Sequence, residues 1–314
     1  MKISGKRRLS RSETCVALGY FDGVHSGHTE VIKSAVKHAK ENGLKSIVLT
    51  FEQSPSTVLN SENKEIITSN LTKCDIIEAY GIDCLFMLEF REYMNYSPET
   101  FVREILQKKL KAKTVFCGFN YRFGKGGAGT CEDLKELCGK YGIKAIVIPP
   151  VYYNGEPVSS TRIRKCIVSG NTSEANAMLG HYFCIDSRVL PGRRLGKKLG
   201  FPTLNQKLLP NGVKPFFGVY ASVYTYKGIS LPAVTNVGIK PTVGSNMPLA
   251  ETWVFDNEIE RMYNRRICVS LIDFIRMEQK FDSIEELKAA VLDSADKSRE
   301  ILKNIFGDIE NIKL

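Results

Sequence analysis

The chain lacks any apolar run long enough to cross a membrane as a helix, and its basic beginning, Met1 to Arg11, is not followed by the apolar stretch of a secretory signal. A cytoplasmic protein is expected. Its nine cysteines are odd in number and include no C-x-x-C pair, which argues against a disulfide framework and against a zinc ribbon. Reduced, mostly buried thiols are expected instead. The net charge of +10 suits polyanionic ligands, weakly held nucleic acid among them. No basic stripe interleaved with stacking aromatics marks a nucleic-acid surface, however, and Lys6-Arg7-Arg8 with Arg11 reads as a solvated tail. No low-complexity linker interrupts the 314 residues. That length exceeds the usual single-domain range, so two directly joined domains are expected.

Histidine is also scarce, yet two of the four lie in one stretch, Gly19-Tyr20-Phe21-Asp22-Gly23-Val24-His25-Ser26-Gly27-His28. It follows the apolar run Cys15 to Leu18 and precedes Val31, Ile32, Ala35, Val36 and Ala39, whose spacing gives one apolar helix face that Gly43 can end. The order is strand, turn, helix. Free backbone N–H groups and the dipole at a helix N-terminus favour an anion, and imidazoles three apart can converge on one phosphate. They would stabilise transition-state charge rather than attack.

From Cys15 to about Ile148, near-continuous apolar runs at 46–51, 84–88, 114–117 and 145–148 alternate with helical signals. Ser97-Pro98-Glu99 offers a capped start for a helix carrying Phe101, Val102, Ile105 and Leu106, and Thr130 caps another through Leu134 and Leu137. A parallel α/β sheet results, with ligands at the carboxyl ends of its strands. The loop Gly118 to Gly129 holds five glycines and Asn120; it is either a ligand loop or a mobile excursion. Asn154-Gly155 signals a tight hairpin. Ser159-Ser160-Thr161-Arg162-Ile163-Arg164 opens a helix whose hydroxyls cap it or, with the guanidiniums, clamp a triphosphate. Beyond Tyr182 short β runs without intervening helices, at 183–189, 218–226, 229–236, 251–255 and 266–275, suggest an antiparallel barrel or sandwich closed by a helix from Ser283 to about Ile305.

Within that half, Leu195-Gly196-Lys197-Lys198-Leu199-Gly200-Phe201-Pro202-Thr203-Leu204-Asn205 combines small residues, lysines, a hydroxyl and a carboxamide. It suits phosphates with hydrated magnesium, or a plain basic hairpin. These stretches resemble, in order, the signatures of the bacterial bifunctional riboflavin kinase/FMN adenylyltransferases, the FAD synthetases. The first resembles the HxGH nucleotidyltransferase motif, 159–164 its S-S-T-x-I-R partner, and 196–205 the riboflavin kinase G-x-x-x-G-F-P-T-A-N motif, with Leu204 in place of alanine. Asn236 to Thr242, Glu251 to Asp256 and Arg276 to Phe281 continue the likeness.

The resemblance implies a Rossmann-like HxGH nucleotidyltransferase domain over 1–181, followed over 182–314 by an antiparallel β-barrel riboflavin kinase domain with a C-terminal helix. It implies His25, His28 and Glu251 as catalytic residues, Glu251 as base for a ribityl hydroxyl. Nucleotide contacts are expected from Gly19, Phe21, Asp22, Gly23, Gly27, Asn120, Ser159, Ser160, Thr161, Arg162, Arg164, Gly196, Lys197, Gly200, Pro202, Thr203 and Asn205. Flavin contacts are expected from Asn120, Phe123, Glu251, Arg276 and Phe281, and Mg2+ near Thr203 and Asn205. ATP, riboflavin and FMN would be the substrates, with no nucleic acid or membrane partner and a monomer or weak homo-oligomer. One departure matters: Gln53-Ser54 stands where the family has Pro-His. A riboflavin kinase with an inactive or redirected first domain is therefore the alternative.

Overall fold

The computed structural model describes residues 2–4, 12–60, 65–192, 196, 199–239, 248–255, 262–309, 312 and 314. The chain separates into two compact units, Met1–Ser160 and Thr161–Leu314. The sequence-based division at 181/182 lies further along. Helix Ser160–Ser169 crosses the observed division, and helix Thr172–Leu179 packs on a strand of the second unit.

The first unit contains six parallel strands: β1 (Lys2–Ser4), β2 (Thr14–Leu18), β3 (Lys45–Phe51), β4 (Cys84–Leu88), β5 (Ala112–Gly118) and β6 (Lys144–Ile148). Their order is β1-β4-β3-β2-β5-β6. Both sheet faces are covered, which is why the strands read as unbroken apolar runs. Val16 and Leu18 pack with Val102, Leu106 and Leu134 on one face, while Cys15 and Ala17 pack with Ile32, Ala35 and Ile77 on the other. The order reverses at β2, whose neighbours β3 and β5 lie on opposite sides of it. Such a switch point opens a crevice beyond the strands' carboxyl ends. A hairpin follows, β7 (Tyr152–Tyr153) with β8 (Glu156–Pro157), turned at Asn154 and Gly155, both at positive φ as its type requires.

The second unit is a closed antiparallel barrel of β9 (Cys184–Leu190), β10 (Leu204–Lys207), β11 (Gly218–Tyr226), β12 (Ile229–Ile239), β13 (Pro248–Val254) and β14 (Arg266–Met277), in the order β10-β13-β12-β11-β14-β9. Inside it, the hydroxyls of Ser222, Thr235 and Thr252 form a buried chain at 2.7 and 2.9 Å. Helix Ile284–Phe306 lies against the barrel, with Ala295 packed on Val219, Val234 and Trp253, and with Ser298 Oγ donating to the Ala233 carbonyl at 2.8 Å.

Asn176 closes the barrel's flank. Its buried amide donates to the Leu271 and Ile272 carbonyls at 2.9 and 3.1 Å, and its Oδ1 accepts the Phe183 N–H at 2.7 Å. Asn176→Ala strands these groups, so the second unit should lose about 2–3 kcal/mol of stability. Denaturant unfolding of the full chain measures it.

Candidate active sites

In the first unit, the Gly19–His28 stretch leaves the carboxyl end of β2, and the Gly-rich loop leaves that of its neighbour β5. The sheet therefore brings both motifs to the switch-point crevice. The turn between β2 and helix Ser26–Glu41 is strained, because Phe21 and the β-branched Val24 adopt φ of 56° and 41°, each costing roughly 1–3 kcal/mol. Gly19 permits it: a Cβ there would stand 2.8 Å from the Phe21 ring.

Tertiary hydrogen bonds hold this conformation. The buried Asp22 carboxylate accepts the Ile67 N–H at 2.9 Å, Gly23 N–H donates to Thr68 Oγ1 at 3.2 Å, and the Tyr20 carbonyl accepts from Thr50 Oγ1 at 2.8 Å and from Lys73 Nζ at 2.9 Å. Ser160 Oγ donates to the Asp22 carbonyl at 2.9 Å. Asp22 and Ser160, expected at the nucleotide, are thus engaged in shaping the turn. The Asp22 carboxylate is buried, and its Oδ1 is taken up by the Ile67 N–H.

His25 caps the helix, its Nδ1 accepting the His28 backbone N–H at 3.4 Å. A neutral His25 therefore carries its proton on Nε2. The two imidazoles stack at 3.6 Å with an 18° tilt, and the His28 ring meets the Phe21 ring edge-on at 5.3 Å. His28 Nδ1 is buried without a partner. Burial first, then His25 and Lys73, hold His28 well below its ordinary value of 6.5. His28 is accordingly neutral at physiological pH, and its ring can present an N–H donor without a charge of its own.

On the second loop, Asn120 is exposed, while Cys131 Sγ lies 3.3–3.7 Å from the Gly118, Phe119 and Tyr121 carbonyls and gathers the loop. The Phe123 ring is buried between Phe101 and Tyr121, and Gly129 has no side chain because the ring fills that place. Phe123, expected at the flavin, thus packs within its own loop, and the exposed aromatic of this loop is Phe119. Gln53 and Ser54 follow β3, just before a short helix, Pro55–Asn60. In the other unit Thr161 is exposed, Arg162 pairs with Glu174 at 3.4 Å, and Arg164 is half-buried.

The barrel site is a row across strands. Leu190, Asn205, Glu251, Asn236, Val219 and Arg276 are successive register partners on β9, β10, β13, β12, β11 and β14. Register partners share a sheet face, so Glu251 stands directly between two carboxamides. Glu251 is not at a strand start, as its sequence context suggests, but within β13 and half-buried. Asn205 Nδ2 lies 3.5 Å from the Thr203 carbonyl, leaving Oδ1 and the Thr203 hydroxyl as oxygen donors, the atom type that magnesium takes.

Arg276 is held by Ser294 Oγ of the C-terminal helix at 3.0 Å and lies over the Phe281 ring at 5.8 Å. The Asn236 amide donates to Glu278 Oε1 at 3.0 Å, and Glu278 occupies the space a Cβ on Gly238 would need. Pro202 is exposed, and Gly200 has a φ of 93° that L side chains rarely adopt. Gly196 approaches the Phe201 carbonyl too closely for a side chain. Lys197 lies outside the described residues, as do Lys240 to Thr242 and Asp256. Among the described residues no helix is long and apolar enough to cross a membrane.

Lys73, Asn236 and Glu278, none of them singled out individually from the sequence, stand beside these candidate residues. Lys73 gives no sequence signal, because a lysine on a helix reads as solvent-exposed.

Comparison with known proteins meets this geometry in both halves. Residues 8–162 match the family model for FAD synthetase, and residues 179–302 that for riboflavin kinase. The bifunctional riboflavin kinase/FMN adenylyltransferase of Buchnera aphidicola is 33% identical, covering 97% of this chain and 98% of its own. Those of Bacillus subtilis and Escherichia coli are 34% and 32% identical over 88% and 92% of this chain, and 89% and 94% of theirs. A Streptococcus pneumoniae crystal structure, described as a macrolide-efflux protein, superposes with a TM-score of 0.83 at 30% identity, covering 94% of this chain and 96% of that one. With both domain models matched in order and with relatives alike from end to end, the chain belongs to the bifunctional riboflavin kinase/FMN adenylyltransferase family.

Proposed function

We propose that the barrel row phosphorylates riboflavin and that the β2–β5 crevice adenylylates the resulting FMN. The observation that carries the first assignment is the register Asn205–Glu251–Asn236. It sets a carboxylate on a rigid strand beside an oxygen-donor pair. Glu251 accepts the proton of the terminal ribityl hydroxyl as that oxygen attacks the ATP γ-phosphorus, and ADP leaves. Thr203 and Asn205 would hold Mg2+, directly or through water; when bound, that ion neutralises charge on the phosphate oxygens. Arg276, fixed by Ser294, and Phe281 form the flavin side of the site.

In the first unit an FMN phosphate oxygen attacks the ATP α-phosphorus and pyrophosphate leaves. The backbone N–H groups at the start of helix Ser26–Glu41, with His25 and His28, donate to the phosphate oxygens as charge shifts toward the leaving group. Neutral donors suit this task, since they need not give up a proton, and no covalent enzyme intermediate is required. Asn120 orients substrate at the crevice rim.

Asn205→Ala tests the kinase assignment. FMN formation should demand at least about tenfold more Mg2+ for half-maximal rate, the usual scale for loss of a metal partner, with FAD formation from supplied FMN unchanged. An unaltered Mg2+ dependence of FMN formation would remove Asn205 from the metal site.

A further inference from the structure

The FAD synthetase signature ends at the turn it names, yet the turn is held from outside. Lys73, on helix Asn70–Ala79, is 1% exposed, with Nζ 2.9 Å from the Tyr20 carbonyl and 4.1 Å from the centre of the Tyr20 ring. A buried ammonium is costly to keep, and an unbranched apolar side chain would fill the same space without that cost. Its retention points to a use for the charge. The segment from Ile67 to Lys73 grips the turn at three residues: Lys73 at Tyr20, Ile67 at Asp22 and Thr68 at Gly23. Between and beyond those grips lie the strained Phe21 and Val24, then the stacked imidazoles.

We propose that Lys73 is a positioning residue for adenylyl transfer: its ammonium fixes the Tyr20 carbonyl, and with it the strained turn that aims His25 and His28 at the phosphates. The proposal rests on the first unit being the adenylyltransferase. The titratable groups that act on Nζ are Asp22 on the turn and Cys74 on its own helix, and Nζ in turn acts on His28 at the start of helix Ser26–Glu41. Burial lowers Lys73 to about 8 while Asp22 opposes the shift, so the ammonium persists at neutral pH and is lost in mild alkali. The same charge helps to keep His28 neutral.

The test compares Lys73→Met and Lys73→Arg in the full chain, with riboflavin phosphorylation on the same molecule as the internal control. FAD formation from FMN should fall about 10²-fold in kcat for Lys73→Met, the scale of a small misplacement of catalytic groups, with KM for ATP within about threefold. Lys73→Arg should recover most of it. The fall in FAD turnover above pH 8 should vanish in Lys73→Met and move upward in Lys73→Arg. His28, followed by NMR of the imidazole and assigned with His28→Gln, should titrate at higher pH in Lys73→Met.

Wild-type FAD turnover in Lys73→Met, or Lys73→Arg as inactive as Lys73→Met while melting like wild type, would overturn the proposal. So would loss confined to KM. Should the wild type make no FAD at all, the adenylyltransferase reading fails by itself, and an unmoved His28 titration would then separately refute the Lys73 coupling.

Discussion

Glu251→Gln should lower riboflavin turnover by about 10²–10⁴-fold, the range for removal of a general base. The substitution keeps volume and hydrogen-bonding shape within β13, between Asn205 and Asn236. The barrel ladder is therefore undisturbed and only proton acceptance is lost. KM for riboflavin should change little, because a glutamine can still meet the ribityl hydroxyl. FAD formation from supplied FMN should stay at the wild-type rate, since the site proposed for it lies in the other unit. Equal loss of both activities would mean that the variant damages the fold rather than the base. Retained FMN formation would remove Glu251 from the role assigned to it.

His28→Ala should produce the opposite pattern. FMN accumulates, and FAD formation drops by about 10²–10³-fold, as when one preorganised donor to a developing negative charge is removed. The imidazole also stacks on His25 and abuts Phe21, so part of the loss is positional, and His28→Gln separates the contributions by keeping a donor. Acidity adds a second signature. Folded His28 resists protonation while the unfolded residue takes a proton near 6.5. The unfolded state thus binds more protons as pH falls through 6.5, and native stability drops toward acid. The first unit's melting temperature should fall between pH 7.5 and 5.5, and less steeply in His28→Gln. An identical slope in both would show that His28 does not carry the buried neutral imidazole.

Much of this architecture can be read from the chain because burial on both faces leaves an unmistakable trace. Val16, Leu18, Val48, Leu49 and Phe86 sit in strands whose central residues are buried on both faces. Strand β10 leaves no such trace. Its Gln206 is fully buried, with Nε2 donating to the Ile185, Ser187 and Ile267 carbonyls, so a core position carries a polar letter. Lys73 hides in the same way. Phe123 and Asp22 show the converse: each lies in a motif loop, where contact with ligand is the natural inference, and the structure shows each also holding its loop's own shape.

Glu251 illustrates what only the register can supply. From sequence it is one carboxylate near a run of β residues. Closure of the barrel places it between Asn205 and Asn236, which lie 46 and 15 positions away in the chain. The histidine pair, by contrast, is local, and its spacing at a helix start already brings the two rings together.

The central claim is that one chain carries riboflavin through FMN to FAD. The direct test incubates the purified protein with riboflavin, ATP and Mg2+ and resolves the flavins by chromatography over time. FMN should appear first and FAD after it, with ADP and pyrophosphate as the other products. A reaction that stops at FMN would leave the kinase and make the departure at Gln53-Ser54 the leading explanation, whereas riboflavin recovered unchanged would contradict the account.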